Sequence, residues 1–169
     1  MKITTKRFAN LDVDEDRIIL MQRGILGFEC YKRFVLLTPP DSGSLIWLQA
    51  VDDPALAFVV ANPYVINGDY KPFIMDHELK SLEIERGEDI VLLSIVTVHT
   101  RPFQLTANLR APLLLNAANR KANQIVLEES AYPIQYKVFD DDAKTTGDVS
   151  LPEAGMEQLD KISVAMMVV

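Results

Sequence analysis

The chain has 169 residues, about half of them apolar, with 24 acidic and 17 basic side chains and a net charge of −7. That length and apolar content predict one domain with a core of its own and exclude disorder throughout. The acidic balance argues against direct nucleic-acid binding, which needs cations for the phosphates, and favours a basic protein surface as partner.

Residues 2–8 alternate and are rich in threonine, which predicts a first strand. Asp12, Asp14, Glu15 and Asp16 form a solvated acidic turn, and 17–22 a second strand. Gly24 and Gly27 then punctuate the chain. Phe28, Tyr31 and Phe34 recur at spacing three, which suits one helical turn with Glu29 near its start. A strand over 34–38, a loop over 39–43 and a strand over 45–51 follow. In the last of these, Ile46 and Leu48 point one way, and Leu45, Trp47 and Gln49 the other. Trp47, the only tryptophan, is expected as a core anchor.

Asp52, Asp53 and Pro54 make a turn. The run 56–61 is an apolar strand closed by Asn62 and Pro63, and Asn67-Gly68 is a tight turn. A strand over 72–75 leads into a short helix over 76–82 with Asp76 as N-cap. After the charged loop 83–89, the longest apolar run, 90–98, is the candidate central strand. Arg101 and Pro102 turn the chain into 103–110. Two apolar runs, Leu109 with 113–115 and then 125–127, flank a loop holding Asn116, Asn119, Arg120 and Lys121. That pattern predicts an antiparallel hairpin whose turn conformations come from asparagine. Pro112 has no N–H for a ladder, so the Ala111-Pro112 step should bend the first strand and leave backbone groups unpaired. A last strand is expected over 132–139.

About ten short strands with few helical pieces define a mainly β fold, antiparallel strands forming a small barrel-like or sandwich core with one or two short helices. Residues 1–139 form this domain. Residues 140–169 read as a polar linker with an apolar end, ISVAMMVV.

Catalytic chemistry is missing from the pattern. His77 and His99 lie on different elements, and there is no Cys/His metal spacing, P-loop or dinucleotide glycine pattern. No cofactor or metal is expected, and no enzyme activity. The lone Cys30 precludes an internal disulfide and fits a reducing compartment. No run approaches the roughly 20 apolar residues of a membrane helix, and the first 15 residues lack a signal-peptide core, so a cytoplasmic location is expected. Two other functions stay open. One is a small-ligand-binding barrel, which needs a polar-lined interior. The other is a hydrolase built on scattered carboxylates such as Asp52, Glu88 and Asp89, which would have to converge.

The ordered set GILGFE at 24–29, WLQ at 47–49, LAF at 56–58, IVTV at 95–98, TANLRAP at 106–112 and Asn116 closely resembles the flagellar assembly factor FliW family. The resemblance spans roughly residues 3–139 and implies a small β protein with a barrel-like core. It also implies two partners, flagellin awaiting export and the translational regulator CsrA, an RNA-binding dimer that represses flagellin synthesis. Flagellin occupies such a factor while it accumulates, and export frees the factor to bind CsrA. Asn108, Arg110, Ala111, Pro112 and Asn116 around the interrupted strand are candidate partner contacts. The loop carboxylates Asp52, Asp53, Glu88 and Asp89 are candidates to lie beside bound CsrA and repel RNA.

Overall fold

The computed structural model describes residues 1–40, 45–128, 130–138 and 165–166. A two-stranded ribbon, β1 (Lys2–Thr5) and β2 (Ala9–Asp12), precedes the main sheet. That sheet contains β3 (Ile19–Met21), β4 (Arg33–Thr38), β5 (Ile46–Ala50), β6 (Ala57–Ala61), β7 (Ile90–Thr100), β8 (Phe103–Ala107), β9 (Leu113–Asn116), β10 (Lys121–Gln124) and β11 (Tyr136–Lys137). Two short helices, α1 (Pro63–Ile66) and α2 (Asp76–Ser81), lie between β6 and β7. Among the described residues no helix is long and apolar enough to cross a membrane.

Seven strands close into a barrel in the order β3-β4-β5-β6-β7-β9-β10, with β10 returning to β3. The expected antiparallel barrel is found, with one exception. The closing pair β3–β10 is parallel, because β10 descends from the β9 hairpin and meets β3 from across the chain. The upper half of β7 leaves the barrel and pairs with β8, and β11 pairs with β8, making a flap.

Alternation assigns each face. Val91 and Leu93 of β7, Leu113 and Leu115 of β9, Phe34 and Leu36 of β4, and Ile46 and Leu48 of β5 fill the barrel. Their neighbours Leu92, Val96 and Leu114 pack outward against Tyr70, Leu82, Leu105, Leu109 and Ile125 in a second core. β7 is thus buried on both faces over its first half, which is why its sequence is a continuous apolar run. A third cluster lies under the ribbon, where Ile3 and Val13 meet Val35 and Leu37. The barrel interior is lined by apolar side chains, not the polar groups that the ligand-binding barrel considered above needs.

Several local expectations are corrected. Phe28 to Phe34 forms no helix: a single turn, in which the Tyr31 N–H donates to the Phe28 carbonyl at 3.1 Å, leads into β4. Gly24 and Gly27 have φ of +80° and +84°, and the chain folds back tightly through an Ile25–Phe28 bridge. A Cβ on Gly24 would lie 2.6 Å from the Glu29 Cα, so only glycine fits. Residues 72–75 form no strand. α1 was missed, although Asn62 accepts a hydrogen bond from the Tyr64 N–H and Pro63 follows it, a legible N-terminus. Trp47 lies outside the barrel, half-buried, its ring 4.2 Å from the Arg7 guanidinium and edge-on to Phe8. Of the expected strand over 132–139, only Tyr136–Lys137 is paired. The loop 41–44 and the linker up to 164 lie outside the described residues. Ala165–Met166 form a last short strand, β12, parallel to β4.

Candidate functional site

β8 and β9 run along one edge of β7 as a single interrupted strand. Val96 faces Ala107 and Leu93 faces Leu113, so five residues (108–112) cover the ground of two (94 and 95) on β7. The three surplus residues leave the ladder as a bulge. Asn108 shapes it: its N–H donates to the Ile95 carbonyl at 2.9 Å and its Oδ1 accepts the Ala111 N–H at 3.0 Å. Pro112 sits where a ladder donor is not needed.

At the Ala111-Pro112 step the expected unpaired backbone is not found: Ala111 N–H, Ala111 O and Pro112 O all have partners. Leu109 N–H donates to Pro133 O, and the carbonyls of Arg110 and Pro112 accept from Leu127 and Ile125 N–H. Gln124 Nε2 donates to Ala111 O at 3.0 Å, and the Tyr70 hydroxyl donates to Leu109 O at 2.8 Å. Burial pushes the Tyr70 phenol well above its ordinary range, so it stays a donor. The bulge is therefore stitched to its surroundings, so its side chains, and not a free backbone edge, are what it presents.

Those side chains differ in access. Asn108 and Arg110 are half-buried, while Ala111 and Pro112 are buried. Arg110 Nη2 donates to the Ser130 carbonyl at 3.0 Å, and among the described residues its Nε has no hydrogen-bond partner. Exposed apolar side chains lie on the segments bonded to the bulge. Val126 lies between two residues bonded to the bulge. Ile134 follows Pro133. Leu26 donates its N–H to the same Gln124 that holds Ala111. Sequence reasoning missed these three. The signal was present for Val126, since a run of three apolar residues in extended chain must turn its middle one outward when both neighbours are buried.

Asn116 belongs elsewhere. It ends β9, is only 2 % exposed, and its Nδ2 donates to Leu82 O and Glu83 O at 2.9 and 3.1 Å. Its Oδ1 accepts the Ala118 N–H at 2.8 Å. It fixes the β9–β10 turn to the 83–89 loop. The left-handed residue of that turn is Arg120, φ +60°, not an asparagine.

The loop carboxylates fall into two groups at opposite ends of the barrel, since β5 and β7 run the same way and one group follows β5 while the other precedes β7. Asp52 forms a two-pronged ion pair with Arg33, which holds its carboxyl below the usual range. Asp53 is lowered by the Ala55 N–H at 2.8 Å and the Tyr31 hydroxyl at 3.0 Å. Glu88 and Asp89 share Arg86, at 2.7 and 3.0 Å. Arginines thus offset Asp52, Glu88 and Asp89, while Asp53 is held by neutral donors with Lys6 nearby. A hydrolase needing Asp52, Glu88 and Asp89 in one cleft is not assembled here.

The described residues form a closed, mainly β barrel with a pinned bulge on one strand edge and acidic loops at both ends. The family described as FliW protein matches residues 2–138. The flagellar assembly factor FliW of Syntrophus aciditrophicus is 47 % identical over 139 residues, 82 % of this chain and 88 % of that protein. Those of Geobacter sulfurreducens and Geotalea uraniireducens are 41 % and 38 % identical, over 86 % and 95 % of this chain and 91 % and 94 % of their own lengths. A crystal structure of the flagellar assembly factor FliW superposes with a TM-score of 0.76 at 32 % identity, covering 84 % of this chain and 99 % of that one. The chain belongs to the FliW family of flagellar assembly factors.

Proposed function

We propose that this protein binds flagellin in the cytoplasm and antagonises CsrA by direct protein–protein binding, relieving repression of flagellin synthesis. Family membership across the whole described barrel is the observation that carries this reading. The surface chemistry supports a division of labour. The bulge pairs an arginine with exposed Leu26, Val126 and Ile134, a surface suited to an apolar partner segment that brings a carboxylate. The acidic loops around Asp52-Asp53 and Glu88-Asp89 suit a basic protein, and an RNA-binding regulator has a basic face. Repulsion of RNA by these carboxylates acts over about 8 Å at physiological salt, so they need not occupy the RNA site.

The test is a pull-down from a motile cell lysate with the parent and with Arg110→Glu, the bound chains identified by mass. Flagellin and CsrA on the parent, with flagellin depleted on Arg110→Glu, is the expected outcome. A parent that retains neither chain refutes the reading.

A further inference from the structure

β4 is buried on both faces, yet one of its edges changes hands along its length. β5 pairs with it from Phe34 to Leu37 on one side. On the other side β3 reaches only Arg33 and Phe34, because the chain enters β3 at Ile19 directly from a 3-10 turn, Glu15–Arg17. Farther along that side, Leu37 and Thr38 pair with Ala165 and Met166 of β12. Among the described residues, Val35 and Leu36 have no ladder partner there. Phe34 and Leu36 pack into the barrel, and Val35 and Leu37 pack under the β1–β2 ribbon. A strand with both faces buried and an incompletely paired edge is a template for another extended chain.

β12 lies beyond residues 2–138, the part of the chain that the family model matches. It comes from an apolar octapeptide, ISVAMMVV, at 162–169. We propose that the β4 edge over 35–38 is a strand-accepting site for an extended apolar segment of the flagellin client, which the chain's own C-terminal strand occupies until it is displaced. The proposal rests on the reading of the protein as a flagellin-binding factor.

The chemistry of the occupant follows from the segment that holds β12, whose sequence ISVAMMVV has no charged side chain and is half β-branched. A second copy's tail competes poorly, since the tethered tail has the advantage of an intramolecular partner. A client segment that also pairs with Val35 and Leu36 takes ladder positions that β12 leaves free.

The test uses the full chain with Ala165→Pro and Met166→Pro, which removes both N–H donors of β12. Met166→Pro alone serves as a second variant with a smaller change in the same direction. Three readouts are taken: amide exchange over 35–38, binding of a synthetic ISVAMMVV peptide, and flagellin affinity. Trp47 lies opposite Leu37 across the β4–β5 pair, so its emission reports on the site. The expected result is faster exchange over 35–38 in the double variant, restored by the peptide together with a saturable Trp47 emission change. Flagellin should bind that variant about five-fold tighter, the resident competitor having been removed. Exchange equal to the parent's, or no response to the peptide, overturns the strand-accepting site. Equal flagellin affinity in parent and variant overturns its use by the client. If the exchange and peptide results hold but neither protein binds flagellin, the flagellin reading fails and the strand-accepting edge stands.

Discussion

Asn116→Ala separates a structural from a contacting role for a residue the sequence placed at the interface. The side chain is buried and makes three hydrogen bonds, two to the carbonyls of Leu82 and Glu83 and one from the Ala118 N–H. Each such bond contributes about 0.5–1.5 kcal/mol net, and the loss leaves buried groups without partners. The substitution should cost about 3 kcal/mol. For a domain of this size 1 kcal/mol moves Tm by about 2–4 °C, so Tm should fall by roughly 6–12 °C. Asn119→Ala is the control. It also bonds to Leu82 O but is exposed, and its loss should cost under about 1 kcal/mol. Thermal unfolding followed by circular dichroism, with urea midpoints as a second measure, decides the matter. An Asn116→Ala protein that melts within about 2 °C of the parent would refute the reasoning, and any loss of partner binding would then belong to direct contact.

Gly24→Ala puts a Cβ against the Glu29 backbone at φ +80° and should cost more than about 2 kcal/mol, whereas Gly27→Ala, with open space at φ +84°, should cost about 1 kcal/mol; equal melting temperatures would contradict this. Asn108→Ala or Arg110→Glu should weaken binding to flagellin while leaving the far-ultraviolet spectrum unchanged, measured by calorimetric titration. Reversal of both Asp52 and Asp53 to lysine should preserve CsrA binding but let RNA remain bound, most clearly at low salt; displacement as complete as the parent's would remove electrostatic exclusion. The folded-state pKa values of Asp52, Asp53 and Glu83 are depressed, so the stability they contribute is present above about pH 4 and is lost as pH falls through their folded values. Acid unfolding midpoints should therefore rise in Asp52→Asn, and an unchanged midpoint would show that the Arg33 pair adds nothing.

Much of the fold was legible because the strands obey a simple rule. Ile46 and Leu48 face the barrel and Trp47 faces away, as alternation predicts, and the run at 90–98 is central because β7 is covered on both sides. What failed was set by long-range geometry. The spacing of Phe28, Tyr31 and Phe34 mimics a helix, but two left-handed glycines fold the chain back first. Nothing local shows that β10 closes the barrel in parallel on β3, a pairing about 100 residues apart. At the site, the sequence pointed to the Ala111-Pro112 interruption, and the bulge is there. The satisfaction of its backbone depends on Tyr70, Gln124 and Pro133, which lie far away in the chain. Asn116 looked like its neighbour and is instead a buried clamp, since sequence proximity across β9 carries it away from the bulge.

The central claim is that the protein acts on translation by holding CsrA away from RNA until flagellin engages it. The most direct measurement combines purified CsrA, a fluorescent RNA it binds, and this protein, followed by RNA anisotropy. The account predicts that anisotropy falls as the protein is added and recovers when flagellin is supplied. Undiminished anisotropy at saturating protein, with CsrA and RNA still bound, would contradict it.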